Sequence, residues 1–289
     1  MLAVVTPELV DQVMDVCRKW QTVPAVIGEI TDSGDFRILR NGETVGVMAV
    51  DALVDGCPLY DLDPVEPSEW IYGNRTTLET SSGPSDIALA LLGSPSIASK
   101  KWIYEQYDSV VGSRTVHRAG AADAAVLNIP EADRAIAVAI DGNGHRVACD
   151  PYTGTVEGLL ECAANLACVG AEPLGVTNCL NFGNPEKPTV AWQLTSSIKA
   201  LGDACRAMDL PVVGGNVSLY NETPSGPIYP TPVIGMVGEL FEPENCAGEP
   251  WRDGDAIALV GPFNPSLAGS ELEKLRGQLG AGLPAIEIA

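Results

Sequence analysis

Two short stretches carry residue types suited to holding a ligand through amides and backbone rather than through charge. The first is Asn178-Cys179-Leu180-Asn181-Phe182-Gly183-Asn184-Pro185, which follows the apolar run Pro173-Leu174-Gly175-Val176. So many Asn, with Gly and Pro, is turn chemistry, and turns between a strand and a helix are where α/β layers collect ligands. The second is Val212-Val213-Gly214-Gly215-Asn216-Val217-Ser218-Leu219-Tyr220-Asn221, read as an apolar strand running into a Gly-Gly turn. Glycines admit close backbone approach, and Asn216 and Ser218 add a carbonyl and a hydroxyl. Two such stretches, each after an apolar strand, are expected side by side at strand ends.

A third candidate is acidic. Glu157, Glu161 and Asn165 recur every four residues, so on a helix they share one face. The plainer reading of that spacing is a solvent-facing stripe. Against it stand the small neighbours Ala163, Ala164, Ala167 and Gly170, which suggest tight packing. A carboxylate and an amide one turn apart are also reasonable oxygen ligands for Mg²⁺, which takes few protein ligands beside phosphates and water. His117 beside Arg118 has no acidic or Cys neighbour and reads as structural. No nucleophile elbow, P-loop or dinucleotide fingerprint is present.

The formal charge of −21 over 289 residues makes nonspecific nucleic-acid binding improbable, since that binding needs cations on phosphates. It leaves a phosphate ligand open, because backbone N–H groups and Mg²⁺ can carry phosphate recognition. A hydrophobic content of 46% is that of a globular chain, and no apolar run has transmembrane length. The N-terminus lacks the basic and long apolar regions of a signal peptide. Eight Cys without a CxxC, and two His, argue against a zinc site and a disulfide framework. The reading is a chain with reduced thiols in a cytoplasm.

The elements that must position these residues follow from periodicity. Residues 6 to 20 read as a helix opened by Thr6-Pro7, then come three short strands, 25–27, 36–39 and 45–50, the last two joined by an Asn41-Gly42 hairpin turn. This reads as the end of a domain whose beginning is missing. Residues 57 to 101 are Pro- and Ser-rich with one helical piece, 87–92, and read as a linker. From 102 to 240 strands and helices alternate densely. Strands are expected at 124–127, 135–140, 174–177, 212–213 and 233–237, and helices at 155–169 and 188–208. In the second helix Val190, Leu194, Ile198, Leu201, Cys205 and Met208 make one buried stripe. A last strand, 256–260, precedes a charged helix at 271–275.

"DPYTGTVEGLLECAANLACVGAEPLGVTNCLNFGNPEKP" (150–188), "VVGGNVSLYNET" (212–223) and "PTPVIGMVGEL" (230–240) closely resemble the large subunit of phosphoribosylformylglycinamidine synthase, the PurL-type enzyme of purine biosynthesis. The resemblance covers nearly the whole chain. It implies an α+β fold: a PurM-like N-terminal domain, a mixed sheet with flanking helices, at 102–240. Residues 1–56 would be the end of a first PurM-like C-terminal domain, 57–101 the linker, and 241–289 the start of a second C-terminal domain. The implied reaction uses ATP to phosphorylate the amide oxygen of formylglycinamide ribonucleotide; ammonia released from glutamine by a glutaminase subunit then displaces phosphate. A small accessory subunit is the other implied partner.

The resemblance also implies residue roles. Asn178 and Gly215 match ATP contacts, Asn216 a Mg²⁺ ligand, and Ser218 a contact to the ribonucleotide. Asp123, Glu161 and Asn165 match an auxiliary nucleotide and Mg²⁺ site. Two departures stand out. The family usually has Asp where this chain has Asn178, and the family's catalytic His lies in a domain this chain lacks. The expectation is therefore a fragment that catalyses nothing alone, with a non-catalytic nucleotide-binding or assembly paralogue as the second reading. Aminoimidazole ribonucleotide synthetases and selenophosphate synthetases rank third. The apolar strands of 102–240, without a visible second layer, predict self-association through that sheet.

Overall fold

The computed structural model describes all residues except Met1, Trp70, 73–75, Ala119, 243–245, 249–250, Arg252, 262–265, 279–281, Glu287 and Ala289. The chain forms two compact units, Met1–Asp61 and Leu62–Ala289. The first holds a 3₁₀ turn (Pro7–Leu9), helix α1 (Val10–Lys19), strands β1 (Asp35–Arg40) and β2 (Glu43–Ala49), and a single-turn helix α2 (Val50–Leu53). β1 and β2 pair antiparallel across Asn41 and Gly42, whose φ values of 52° and 83° are those the tight hairpin turn demands. The expected strand at 25–27 is not formed: Val26 and Ile27 are exposed, and among the described residues no strand pairs with them. Helix α1, like both hairpin strands, has no buried residue.

The second unit is an α+β layer. Helices α3 (Pro84–Gly93) and α4 (Lys101–Tyr104) precede a six-stranded sheet. Its strands are β3 (Thr115–His117), β4 (Ala125–Ile129), β5 (Arg134–Asp141), β6 (Glu172–Asn181), β7 (Val212–Ser218) and β10 (Thr231–Leu240). They lie in the order β3-β4-β5-β10-β6-β7. All neighbours are antiparallel except β6 and β7, which run parallel because the long helix between them carries the chain back. Strands β8 (Glu222–Thr223) and β9 (Gly226–Pro227) form a small separate hairpin. Helices α5 (Gly144–Cys149), α6 (Pro151–Cys168), α7 (Pro188–Ala207) and α8 (Glu271–Leu275) complete the unit. No helix among the described residues is long and apolar enough to cross a membrane.

Alternation along the strands builds the core. In β5, Ala135, Ala137 and Ala139 are buried, and in β10 so are Ile234, Met236 and Leu240. Helix α6 closes over this face with Val156, Leu159, Cys162 and Leu166. It begins four residues earlier than the periodicity suggests. Asp150 caps it, accepting from the N–H groups of Tyr152 and Thr153 at 3.0 Å each, and Pro151 takes the first turn. Gly154 is required there, since a Cβ would lie 2.5 Å from the Val147 nitrogen of α5.

Helix α7 buries Val190, Leu194, Leu201 and Cys205 as expected, with Ala191, Ser197, Ala200 and Ala204 beside them. Ile198 does not join the stripe and is 50% exposed. The opposite face of the sheet carries Leu127, Ile136, Val138, Ile140, Val233 and Val237. Ile140 on that face is 73% exposed. The charged helix at 271–275 forms and packs against α3 of the 57–101 stretch. Thr77 and Leu78 donate to the Leu275 carbonyl, and Ser94 donates to Glu271. Residues 256–260 form no strand and are exposed.

Candidate functional site

The amide-rich stretch is more regular than its composition suggests. Asn178 to Asn181 is not a loop: β6 runs through Asn181, bonded to β10 on one side and β7 on the other. Between two strands, backbone pairing outweighs the turn preference of Asn. Nor is Gly214-Gly215 a turn; both lie inside β7. The register sets Asn178 opposite Gly215, Cys179 opposite Asn216, and Asn181 opposite Ser218. A Cβ on residue 215 would fall 2.7 Å from Asn178 Oδ1 and 2.8 Å from its carbonyl oxygen. Glycine is thus fixed by the approach of Asn178, not by a bend.

Strand alternation then divides the predicted residues. Asn178 shares the face of buried Val176, and Gly215 lies with it. Asn216 and Ser218 belong to the other face, where Asn216 Nδ2 donates to Cys179 Sγ at 3.8 Å. β7 closes the sheet as an edge strand, and residues 212–217 are exposed. A ligand touching all four residues must therefore reach over a free edge. Glycine backbone without side chains is what such an approach needs. Among the described residues, the Asn216 Oδ1 accepts no hydrogen bond, which fits an oxygen ligand for a cation that takes few protein ligands and completes its shell with phosphate and water.

The true loops begin just beyond, and they are laced together. Tyr220 donates its N–H to the Gly183 carbonyl at 2.9 Å, and Asn221 donates its own to Phe182 at 3.1 Å. Tyr220 Oη reaches Glu186 at 3.1 Å. Glu222 accepts from Lys187 Nζ at 2.6 Å and, at 3.4 Å, from the Asn184 N–H; the hydrogen bond from Asn184 and above all that from Lys187 hold its carboxyl below the usual range. Tyr220 sits at φ 61°, a conformation a bulky residue adopts only when its surroundings impose it. The two stretches do sit side by side at parallel strand ends.

The acidic stripe on α6 is neither plain solvent face nor formed metal centre. Glu157 makes a two-pronged ion pair with Arg146, whose Nη1 also donates to the Ala268 carbonyl at 2.8 Å. Glu161 faces Asp141 at the end of β5. Burial, then the Asp141 charge, raises its carboxyl above the usual range. Asp141 was not legible as a partner, since nothing local in the sequence links β5 to α6. Asn165 is half-buried and Asp123 exposed. Ala164 and Ala167 are exposed, so the small residues do not mark packing on every side. Among the described residues no three of His, Cys, Asp and Glu cluster as metal ligands. His117 is buried with its Nε2 unpartnered. A cleft of about 590 Å³ lined by Ser96, Asn143, His145, Tyr229 and Glu271 holds none of the predicted site residues.

Residues 121–240 match the AIR synthase related protein N-terminal domain. A "Phosphoribosylformylglycinamidine synthase subunit PurL" of Moorella thermoacetica is 41% identical over 96% of this chain. The chain belongs to the PurL family. It spans 38% of that relative's length. Two solved structures of PurL from Thermotoga maritima are also similar, each with a TM-score of 0.60. One, complexed with ATP, is 28% identical over 82% of this chain and 37% of its own. The other, complexed with FGAR, is 29% identical over 82% of this chain and 36% of its own. The mixed sheet with helices on one face is the PurM-like fold.

Proposed function

We propose that this chain forms part of an ATP-dependent C–N ligase of purine biosynthesis. The ligase converts formylglycinamide ribonucleotide, ATP and glutamine-derived ammonia to formylglycinamidine ribonucleotide, ADP and phosphate. The observation that carries this reading is the register of β6 on β7, which aligns Asn178 with Gly215 and Asn181 with Ser218 on an open sheet edge. Gly215 and Asn178 meet the nucleotide, Asn216 gives an oxygen to Mg²⁺, and Ser218 meets the ribonucleotide. When bound, Mg²⁺ neutralises phosphate charge during transfer. Asn178 and Asn216 add hydrogen-bonding groups without negative charge, in a chain that already carries −21. Asp123, Glu161 and Asn165 make an auxiliary nucleotide site only with further ligands, because Glu161 is already engaged with Asp141.

On this reading the residues named above bind nucleotide, cation and ribonucleotide, and none of them is assigned as the catalytic group. Its partners on this reading are a glutaminase subunit and a small accessory subunit in the cytoplasm, with neither nucleic acid nor membrane. The domain limits at 56, 101 and 240 belong to the same proposal. The exposed sheet face around Ile140 pairs with the same face of a second copy. A strictly monomeric mass by sedimentation at micromolar concentration would remove the dimer.

Asn178 favours a second reading, a non-catalytic assembly module, because an amide replaces the charge the family usually has there. Calorimetric titration with ATP and Mg²⁺, on the chain and on Asn178→Asp, tests both. Binding by both proteins supports the ligase reading. Binding by the Asp variant alone supports the assembly module. Binding by neither overturns the nucleotide role assigned to this edge.

A further inference from the structure

Asn221 lies three residues beyond the end of β7 and has no part in the assignments above. Its side chain is nonetheless the most engaged in the laced loops. Nδ2 lies 3.1 Å from the Phe182 carbonyl, 2.9 Å from the Ser218 carbonyl and 3.0 Å from Ser218 Oγ. Its Oδ1 lies 3.3 Å from the same hydroxyl. Its own N–H donates to Phe182, and its carbonyl accepts from Ile228 at 3.1 Å. The carbonyl contacts suffice to tie the loop to the strand end. Nδ2 has two hydrogens for three oxygens, so one is shared between a carbonyl and Ser218 Oγ, and that contact bears on how the hydroxyl is oriented.

We propose that Asn221 is a positioning residue that holds Ser218 Oγ in one rotamer and donates into it, so that the hydroxyl presents its proton to an acceptor oxygen of the ligand. A hydroxyl has one hydrogen and two lone pairs. With Nδ2 donating into one lone pair, the hydrogen and the second lone pair remain, and on this proposal it is the hydrogen that Asn221 aims. Asn221 Oδ1 is its resting acceptor, at a distance long for an O–H···O bond, and a ligand oxygen at ordinary distance displaces it. The ligand atom met by that proton is an acceptor, a phosphate, hydroxyl or amide oxygen. This rests on the reading that Ser218 meets the ribonucleotide.

The test is calorimetry of formylglycinamide ribonucleotide with the chain and with Ser218→Ala, Asn221→Ala, Asn221→Asp and Ser218→Ala/Asn221→Ala, beside crystal structures of the chain and of Asn221→Ala. Losing one hydrogen bond to the ligand lowers affinity about tenfold. The expected result is a comparable loss for each single Ala variant, with the double variant no weaker than Ser218→Ala. Asn221→Asp keeps the volume, cannot donate and captures the hydroxyl proton, so it loses more than Asn221→Ala. Independent, multiplying losses, or full affinity in Asn221→Ala where Ser218→Ala is weak, would overturn the positioning role. Absence of binding by the unaltered chain would defeat the substrate reading instead. The crystal structures then decide the rest: a single Ser218 rotamer that survives Asn221→Ala refutes the positioning role, and a lost one supports it.

Discussion

Two regions of the second unit were candidates for oxygen-rich ligand chemistry, and they are built on opposite terms. At the β6–β7 edge the polar groups are neutral amides, a hydroxyl and glycine backbone, stitched by bonds among 182–187 and 218–222. On α6 the polar groups are carboxylates, and each is answered by its surroundings: Glu157 by Arg146, Glu161 by a second carboxyl that penalises its charge. The edge is pre-organised and leaves Asn216 Oδ1 uncommitted. The stripe has committed Glu157 to folding, while Glu161 carries a charge its surroundings disfavour. Spacing along a helix put three residues on one face, yet it did not show what else faced them.

Gly215→Ala is the sharpest way to break the comparison. The added Cβ meets Asn178 backbone as well as its side chain, so strand must separate from strand. The cost expected is about 2 to 3 kcal/mol, the upper range for overpacking. Nucleotide binding at the edge should vanish with it. Thermal melting and ATP titration check both, and a variant that melts and binds like the parent would show that the edge yields easily. A larger change on α6, Glu161→Ala, should leave ATP binding at the edge untouched.

Glu157→Ala comes next. It leaves the Arg146 guanidinium part-buried without its carboxylate; that carboxylate, through its hydrogen bonds first, also raises the Arg146 pKa. Breaking a fully buried pair costs more than breaking an exposed one. At roughly one-fifth exposure for each partner, the loss expected is about 2 kcal/mol, read from chemical denaturation. A loss below half a kilocalorie would return the stripe to the solvent-facing reading.

Most of the layer was legible because burial imposes a period. Alternation located β4, β5 and β10, and the three-four spacing located α7. Misreadings came where a residue's local habit was overruled from a distance. Asn178, Asn181 and Gly214-Gly215 have turn preferences, but pairing on two sides draws β6 through both Asn, and β6 in turn pairs the two glycines into β7. Ile198 fits the three-four spacing, yet the buried face of α7 runs through Leu194, Ser197 and Leu201 and leaves Ile198 half exposed beside it. The apolar runs 25–27 and 256–260 have strand composition and, among the described residues, no partner strand. The opening of α6 was readable and overlooked: Asp150-Pro151 is a cap followed by a first-turn proline. Of the site, residue types were legible in sequence, whereas their division between two faces of an edge strand was not, because that depends on register.

Glu161→Gln gives the smallest effect and the most specific sign. The folded carboxyl titrates above its ordinary value because burial first, and the Asp141 charge second, disfavour the ionised form. A raised carboxyl pKa means that folding favours the protonated state. Its contribution is fully present below the unfolded value and is lost as pH climbs through the raised folded one. At neutral pH the ionised Glu161 is therefore a small burden on the fold. Removing the charge should raise stability by under about 1 kcal/mol at pH 8, a figure discounted because solvent still reaches and screens the side chain, and change little at pH 4. Melting curves for parent and variant across that interval should converge on the acid side and separate on the basic side. Separation in the opposite sense would mean that Asp141 and Glu161 are held together by something that needs both charges, such as a cation. The acidic stripe would then be a binding site after all, and the contrast with the amide edge would be one of ligand and not of purpose.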